Sequence, residues 1–177
     1  MRFQETDLPG AWVIDVEPIE DSRGLFARVW CRRELAEHAL ETQVAQCNTS
    51  FSKRRGTLRG MHFQRAPYEE VKFIRCTQGS MYDVIIDLRP DSPSYSRWVG
   101  VELSAENRRA LYVPRGFAHG FQTLEDDVET FYMMSEFYTP GAEAGLRWDD
   151  PAFGIEWPLP SPSEISDKDA SWPDFDG

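Results

Sequence analysis

Between residues 81 and 88 the chain alternates. Val84, Ile86 and Leu88 fall on one side, and Asp83, Ile85 and Asp87 fall on the other. A period of two predicts a strand with one face in a core and one toward water. Shorter runs of the same kind occupy 71–76, 97–103, 109–113, 120–124 and 129–135. Turn formers separate them: Gln78-Gly79, the proline-bounded stretch 90–93, Glu125-Asp126-Asp127 and Thr139-Pro140-Gly141. Strands recurring every ~8–12 residues predict an all-β sandwich or barrel. A helical period shows only over 32–40, where Leu35, Ala36, Ala39 and Leu40 form a short apolar stripe. The tail after Trp157 is rich in Pro, Ser and Asp, which predicts loop or short helix wrapping the surface. With neither an internal repeat nor a linker, the 177 residues read as one domain over 1–177.

Composition supports a folded chain: 41% of residues are hydrophobic and 13% aromatic, which excludes disorder. Charge changes the picture more. The chain has 19 Lys and Arg against 30 Asp and Glu, a net charge of -11, which argues against a nucleic-acid partner. The excess lies wholly beyond residue 89. Residues 53–75 run the other way, with seven basic side chains against Glu69 and Glu70. That stretch reads either as a solvated strand edge or as a local anion site. No apolar run approaches the ~18 residues of a membrane span, and residues 1–16 lack the apolar stretch of a secretory leader. Cys31, Cys47 and Cys76 are odd in number with no close pair, so reduced thiols and a cytoplasmic location are expected.

The chain has three histidines. His38 lies in the predicted helix and reads as a surface residue. His62 lies in GTLRGMHFQ (56–64), where alternation puts Gly60, His62 and Gln64 on one face and Arg59, Met61 and Phe63 on the other. Gly60 leaves room there for a ligand or another backbone. His119 lies in VPRGFAHGF (113–121), where Pro114 and Gly116 set a turn that aims it at a strand end. This PxGxxH spacing resembles the second motif of the cupin superfamily. Gly56 and His62 have the spacing of the first motif, but Gln64 stands where a second histidine would be. Two histidines and a carboxylate from Glu69 or Glu70 could ligate a metal; with an amide in the set, no metal is expected. A neutral imidazole suits proton abstraction instead. Beside a carbonyl it needs a cation for the enolate oxygen and an acid to return the proton. Lys72 and Tyr132 are candidates for those parts. Each also has a plain reading, as a core histidine, a strand-surface lysine and a core tyrosine.

The motifs together resemble the dTDP-4-dehydrorhamnose 3,5-epimerases. They include DSRGLF (21–26), QCNTS (46–50), GTLRGMHFQ, VKFIRCTQG (71–79), YDVIIDLRPDSPSY (82–95), VPRGFAHGF, FYMMSEFYTP (131–140), WDDPAFGIEWP (148–158) and ISDKDAS (165–171), in order over nearly the whole chain. The resemblance implies a cupin-type double-stranded β-helix, or jelly roll, with a few short peripheral helices. It also implies a homodimer whose N-terminal segment reaches the partner's site, and a C-terminal tail packing back near the site. The activity implied is epimerisation at C3 and C5 of a nucleotide-linked 4-keto-6-deoxyhexose, with no cofactor. His62 would be the base, Asp169 its orienting carboxylate, Tyr132 the acid and Lys72 the enolate stabiliser. Arg23 and Phe26 would meet the nucleotide across the dimer. Gln46, Asn48 and Arg59 would hold sugar and diphosphate, His119 would line the sugar pocket, Tyr138 would stack near the base, and Glu143 would lie near the nucleotide. The chain departs from the family pattern at Arg28, Met133 and 65–70, which leaves the nucleotide and the number of inverted centres open. Other classes compatible with the residues are a single-centre epimerase or keto-isomerase, a metal-dependent cupin oxygenase and a non-catalytic sugar-nucleotide binder.

Overall fold

In a computed structural model of the protein, the described residues are 1–176. Its strands are β1 (Arg2–Glu5), β2 (Trp12–Asp15), β3 (Ile19–Asp21), β4 (Gly24–Phe26), β5 (Gln46–Ser52), β6 (Leu58–Gln64), β7 (Lys72–Gln78), β8 (Ser80–Asp87), β9 (Trp98–Ser104), β10 (Ala110–Val113), β11 (Phe117–Thr123), β12 (Val128–Met134) and β13 (Glu143–Gly145). Two short helices complete the set, α1 (Arg32–Glu37) and α2 (Asp167–Ala170).

The strands form a six-stranded sheet in the order β1-β2-β10-β7-β12-β5 and a five-stranded sheet in the order β13-β6-β11-β8-β9. Neighbours run antiparallel, and strands distant in sequence lie side by side. This is the cupin-type jelly roll. Between the sheets, Ile74, Cys76, Leu111 and Val113 from one meet Met81, Ile85, Leu103, Phe117 and Phe121 from the other. Burial there pushes the Cys76 thiol up to about 11, so it stays protonated and acts as a small apolar side chain. The hairpin β3–β4 stands apart as its own two-stranded sheet, with every strand residue exposed.

Two expectations need correction. The alternation in β8 is present, but the strand is buried on both sides. Its outer side chains Val84 and Ile86 are covered by Leu146, Phe153, Ile155, Trp157 and Phe175 of the C-terminal segment. A polar, proline-rich tail thus hides the few large apolar residues that close this face. In β6 the alternation breaks: His62 faces His119 on β11 while Arg59 faces Phe121, so β6 fits one extra residue against its neighbour. The bulge turns Arg59 to the same side as His62.

Candidate active site

At one end of the sandwich the sheets part around a cavity of about 510 Å³. His62 enters it from β6 and His119 from β11, both in the five-stranded sheet, whereas Lys72 enters from β7 and Tyr132 from β12, in the opposite sheet. Gln46 and Asn48 line it from the edge strand β5, Arg59 from β6, and Tyr138 and Glu143 from its mouth. Asp169, carried by α2, closes one side. Ten of the twelve residues named from sequence therefore share one cavity. Arg23 and Phe26 do not reach it: they sit on the β3–β4 hairpin, 88% (side chain) and 68% exposed, with Arg23 paired to its neighbour Asp21. His119 is also not at a strand end. It is the third residue of β11, because the turn closes earlier, at Pro114–Gly116.

Gly60 explains how close β6 and β11 come. A side-chain Cβ at Gly60 would lie 2.5 Å from the Cα of Gly120, and Gly60 has φ +136°, which other residues rarely adopt. Of the two uses offered for that glycine, the structure takes the second, room for another backbone. The close approach sets the two histidines side by side.

His62 Nε2 lies 2.7 Å from Asp169 Oδ1, and the other carboxylate oxygen, Oδ2, accepts the Gly60 N–H at 3.2 Å. Sequence 166–169 reads as a helix-capping box, and Ser166 Oγ does accept the Asp169 N–H at 3.1 Å. The reciprocal half is diverted, since the Asp169 carboxylate is spent on His62 and Gly60. Burial works to raise the Asp169 carboxyl, but the hydrogen bond and charge of His62 and the N–H of Gly60 outweigh it and hold it below the usual carboxylate range. The tail is seated by Trp172, whose ring lies where a side chain at Gly145 would be, with a Cβ only 2.2 Å from it.

Across the cavity, Lys72 is buried and donates to the His62 carbonyl at 3.2 Å; its Nζ also lies 3.2 Å from Glu70 Oε1. The Tyr132 hydroxyl is pushed up by burial, with partial relief from the Arg59 charge. It is therefore a firmly protonated donor at neutral pH. Arg59 is fixed by donating to Ser52 Oγ and the Phe51 carbonyl, both at 3.1 Å. His119 Nε2 is held by Asp83, at 2.9 and 3.1 Å from its two oxygens. At the mouth the Tyr138 hydroxyl donates to Glu143, which also meets Lys168.

Gln64, in the position of a cupin metal ligand, has no free end. Its amide donates to the carbonyls of Tyr68 and Phe137 and accepts from the Thr139 N–H, so it clamps the loop above the site. Among the described residues no three His, Cys, Asp or Glu side chains converge to hold a metal ion. Sequence reasoning missed Lys168 and the role of Asp83. Lys168 adjoins Asp169 in ISDKDAS, a signal that was available; Asp83 was read only as the polar side of a strand.

Comparison with known proteins shows the family and the fold. Residues 5–177 match the family model for dTDP-4-dehydrorhamnose 3,5-epimerase. The chain belongs to that family. A family member from Methanothermobacter thermautotrophicus is 43% identical over 97% of this chain and 92% of its own length. The crystal structure of the Bacillus anthracis dTDP-4-dehydrorhamnose 3,5-epimerase, with TDP and pyrophosphate bound, superposes with a TM-score of 0.95 at 39% identity, covering 98% of this chain and 99% of that one. A 3'-monoepimerase from Streptomyces bikiniensis in complex with dTDP-quinovose superposes with a TM-score of 0.88 at 32% identity, over 96% and 85% of the two chains. The structures similar to this chain thus include one named for a single inverted centre as well as ones named for two.

Proposed function

We propose that the chain is an isomerase acting on a nucleotide-linked 4-keto-6-deoxyhexose of the dTDP-4-dehydro-6-deoxyglucose type, in deoxysugar biosynthesis, and that it inverts C3 and C5. The observation that carries this reading is His62, on one sheet and paired with Asp169 from α2, set opposite Tyr132 and Lys72 on the other sheet, around one cavity. A sugar ring between them meets a base on one face and an acid on the other, which is what inversion requires.

His62 removes the proton from the carbon beside the C4 ketone. The C–H electron pair becomes the ring double bond, and the carbonyl pair moves onto O4 as an enolate. Asp169 fixes the imidazole and supports the charge it gains. Lys72 donates to the enolate oxygen in a water-poor site, where such a contact is worth most. Tyr132 then gives its proton to the opposite face of the carbon. A positioned base supplies about 10²–10⁴ in rate; charge stabilisation at O4 supplies much of the rest. Gln46, Asn48, Arg59 and His119 hold sugar and diphosphate, with the planar fork of Arg59 suited to phosphate. Tyr138 and Glu143 meet the nucleotide.

In this reading the chain works as one domain over 1–177 and as a homodimer, each hairpin lending Arg23 and Phe26 to the partner's site. Support comes from the hairpin itself. Two strands of three residues with Ile19, Leu25 and Phe26 exposed have little stability alone and gain from cover. Among the described residues no helix is long and apolar enough to cross a membrane. A cytoplasmic site of action fits a nucleotide-sugar substrate.

The test is solvent deuterium uptake with a panel of dTDP, CDP and GDP 4-keto-6-deoxy sugars. We expect label at C3 and C5, and at least ~10²-fold slower uptake in His62→Ala. No exchange with any member of the panel overturns the function; unchanged exchange in the variant overturns the role of His62. Label at one carbon only selects the single-centre reading instead.

A further inference from the structure

Glu70 is the one carboxylate of the cavity that the mechanism above leaves unused. It lies two residues before Lys72 and lines the cavity with it. Its side chain is only 4% exposed and that of Lys72 only 9%. Oε1 is 3.2 Å from Lys72 Nζ, while Oε2 is buried with no hydrogen-bond partner. Burying an acceptor without a partner costs free energy that a structural carboxylate would avoid. The ammonium is in the complementary state: it donates one hydrogen bond, to the His62 carbonyl, and lies within ion-pair distance of Glu70, so it keeps donor capacity. A spare donor and a spare acceptor thus sit side by side at the edge of a sugar-sized cavity.

We infer that Glu70 and Lys72 together read a carbonyl oxygen and the hydroxyl on the adjacent carbon, with Lys72 on O4 and Glu70 accepting from the C3 hydroxyl. The inference rests on the epimerase reading and deepens it. Enolisation toward C3 places both oxygens on one double bond, coplanar and adjacent, as an enediolate. The C3 hydroxyl then sits on an unsaturated carbon and becomes more acidic, so its hydrogen bond to a carboxylate strengthens as the transition state is approached. Enolisation toward C5 offers no such hydroxyl, because C5 carries the methyl group and the ring oxygen. Lys72 therefore serves both carbons through O4, and Glu70 serves C3 alone. Glu70 is a specificity-determining residue for the substrate's 3-hydroxyl and for which carbon is enolised.

The assay is the ratio of solvent deuterium uptake at C3 to that at C5, measured in one reaction with dTDP-4-keto-6-deoxyglucose. Glu70→Gln keeps the shape and still offers Lys72 a carbonyl oxygen, but it puts an NH₂ where Oε2 was. We expect it to lower the C3:C5 ratio by about 10–100-fold, the worth of a hydrogen bond to a charged group, and Glu70→Ala to lower it similarly. Lys72→Met slows both carbons and leaves the ratio near that of the unaltered enzyme. A loss of structure or of the Lys72 contact alone slows both carbons together, so a preserved ratio in Glu70→Gln overturns the inference. Unaltered enzyme that exchanges only at C5 overturns it as well, while leaving an epimerase. Absence of exchange at both carbons overturns the proposed function itself.

Discussion

Two histidines line the cavity from adjacent strands, each paired with an aspartate, and the two pairs are built in opposite ways. His119 and Asp83 both come from the interior of the five-stranded sheet. The His119 side chain is 13% exposed and the Asp83 side chain not at all, so the pair is enclosed by strands that the core already fixes. His62 keeps 42% of its side chain exposed, and its carboxylate arrives from α2, 107 residues further along the chain. Similar distances and the same two side-chain types therefore serve different ends. A pair walled in by sheet holds its ring in one fixed orientation at the cavity wall. A pair with an open ring and a carboxylate delivered from outside the sheet can take up a proton and have its charge supported.

The contrast makes three predictions, from the largest effect to the smallest. Asp169→Asn should cut kcat by about 10²–10⁴-fold, because the amide no longer orients the ring or supports its charge. Circular dichroism should show the jelly roll intact, since asparagine keeps a carbonyl oxygen to accept the Gly60 N–H. His119→Ala should behave the other way round. It leaves Asp83 buried without its partner, so denaturant unfolding should show a loss of about 1–3 kcal/mol, while steady-state kinetics show KM raised about 10-fold with a smaller change in kcat. If both variants lost kcat equally with unchanged stability, the distinction between the pairs would fail.

The third prediction concerns Asp87, which lies two residues beyond Ile85 on the same side of β8 as Asp83. It has no active-site contact. Burial works to raise its carboxyl, but hydrogen bonds from Arg89, Ser92 and Ser94 outweigh it and bring it down to about 2 from 3.8. A folded value below the unfolded one gives stability that is present in full above 3.8 and lost as pH falls toward about 2. Acid titration of unfolding should show that loss, and Asp87→Asn should flatten it while deuterium exchange at neutral pH stays unchanged.

Much of this was legible in the sequence, for reasons that differ by residue. The period of two exposed the strands, and motif order placed His62, Lys72, Tyr132 and Asp169 in one family. Thr130, Tyr132 and Met134 share the cavity as the alternation of β12 required. Three features stayed hidden. The bulge that turns Arg59 beside His62 has no periodic signal, because it is defined by the partner strand. The double burial of β8 depends on a tail whose composition looks like surface loop. Glu70 was visible only as a possible metal ligand: Lys72 is two residues away, but nothing local tells that both side chains are buried together at the cavity. Charge was informative in part: of the seven basic residues over 53–75, Arg59 and Lys72 line the cavity, while Arg54 pairs with Glu164 and Arg55 bonds the Leu124 carbonyl at the surface.

The contact between Gly60 and Gly120 has a consequence for how the protein can evolve. The base stands on two backbones that touch with no side chain between them, and any larger residue at either point must force the strands apart. The floor of the site therefore offers no small steps: a substitution there is tolerated by glycine alone or breaks the register. The mouth, with Tyr138, Glu143 and Lys168 on loops, β13 and α2, can change one residue at a time. Room for altered substrate grip therefore lies at the mouth, while the strands beneath the base leave none.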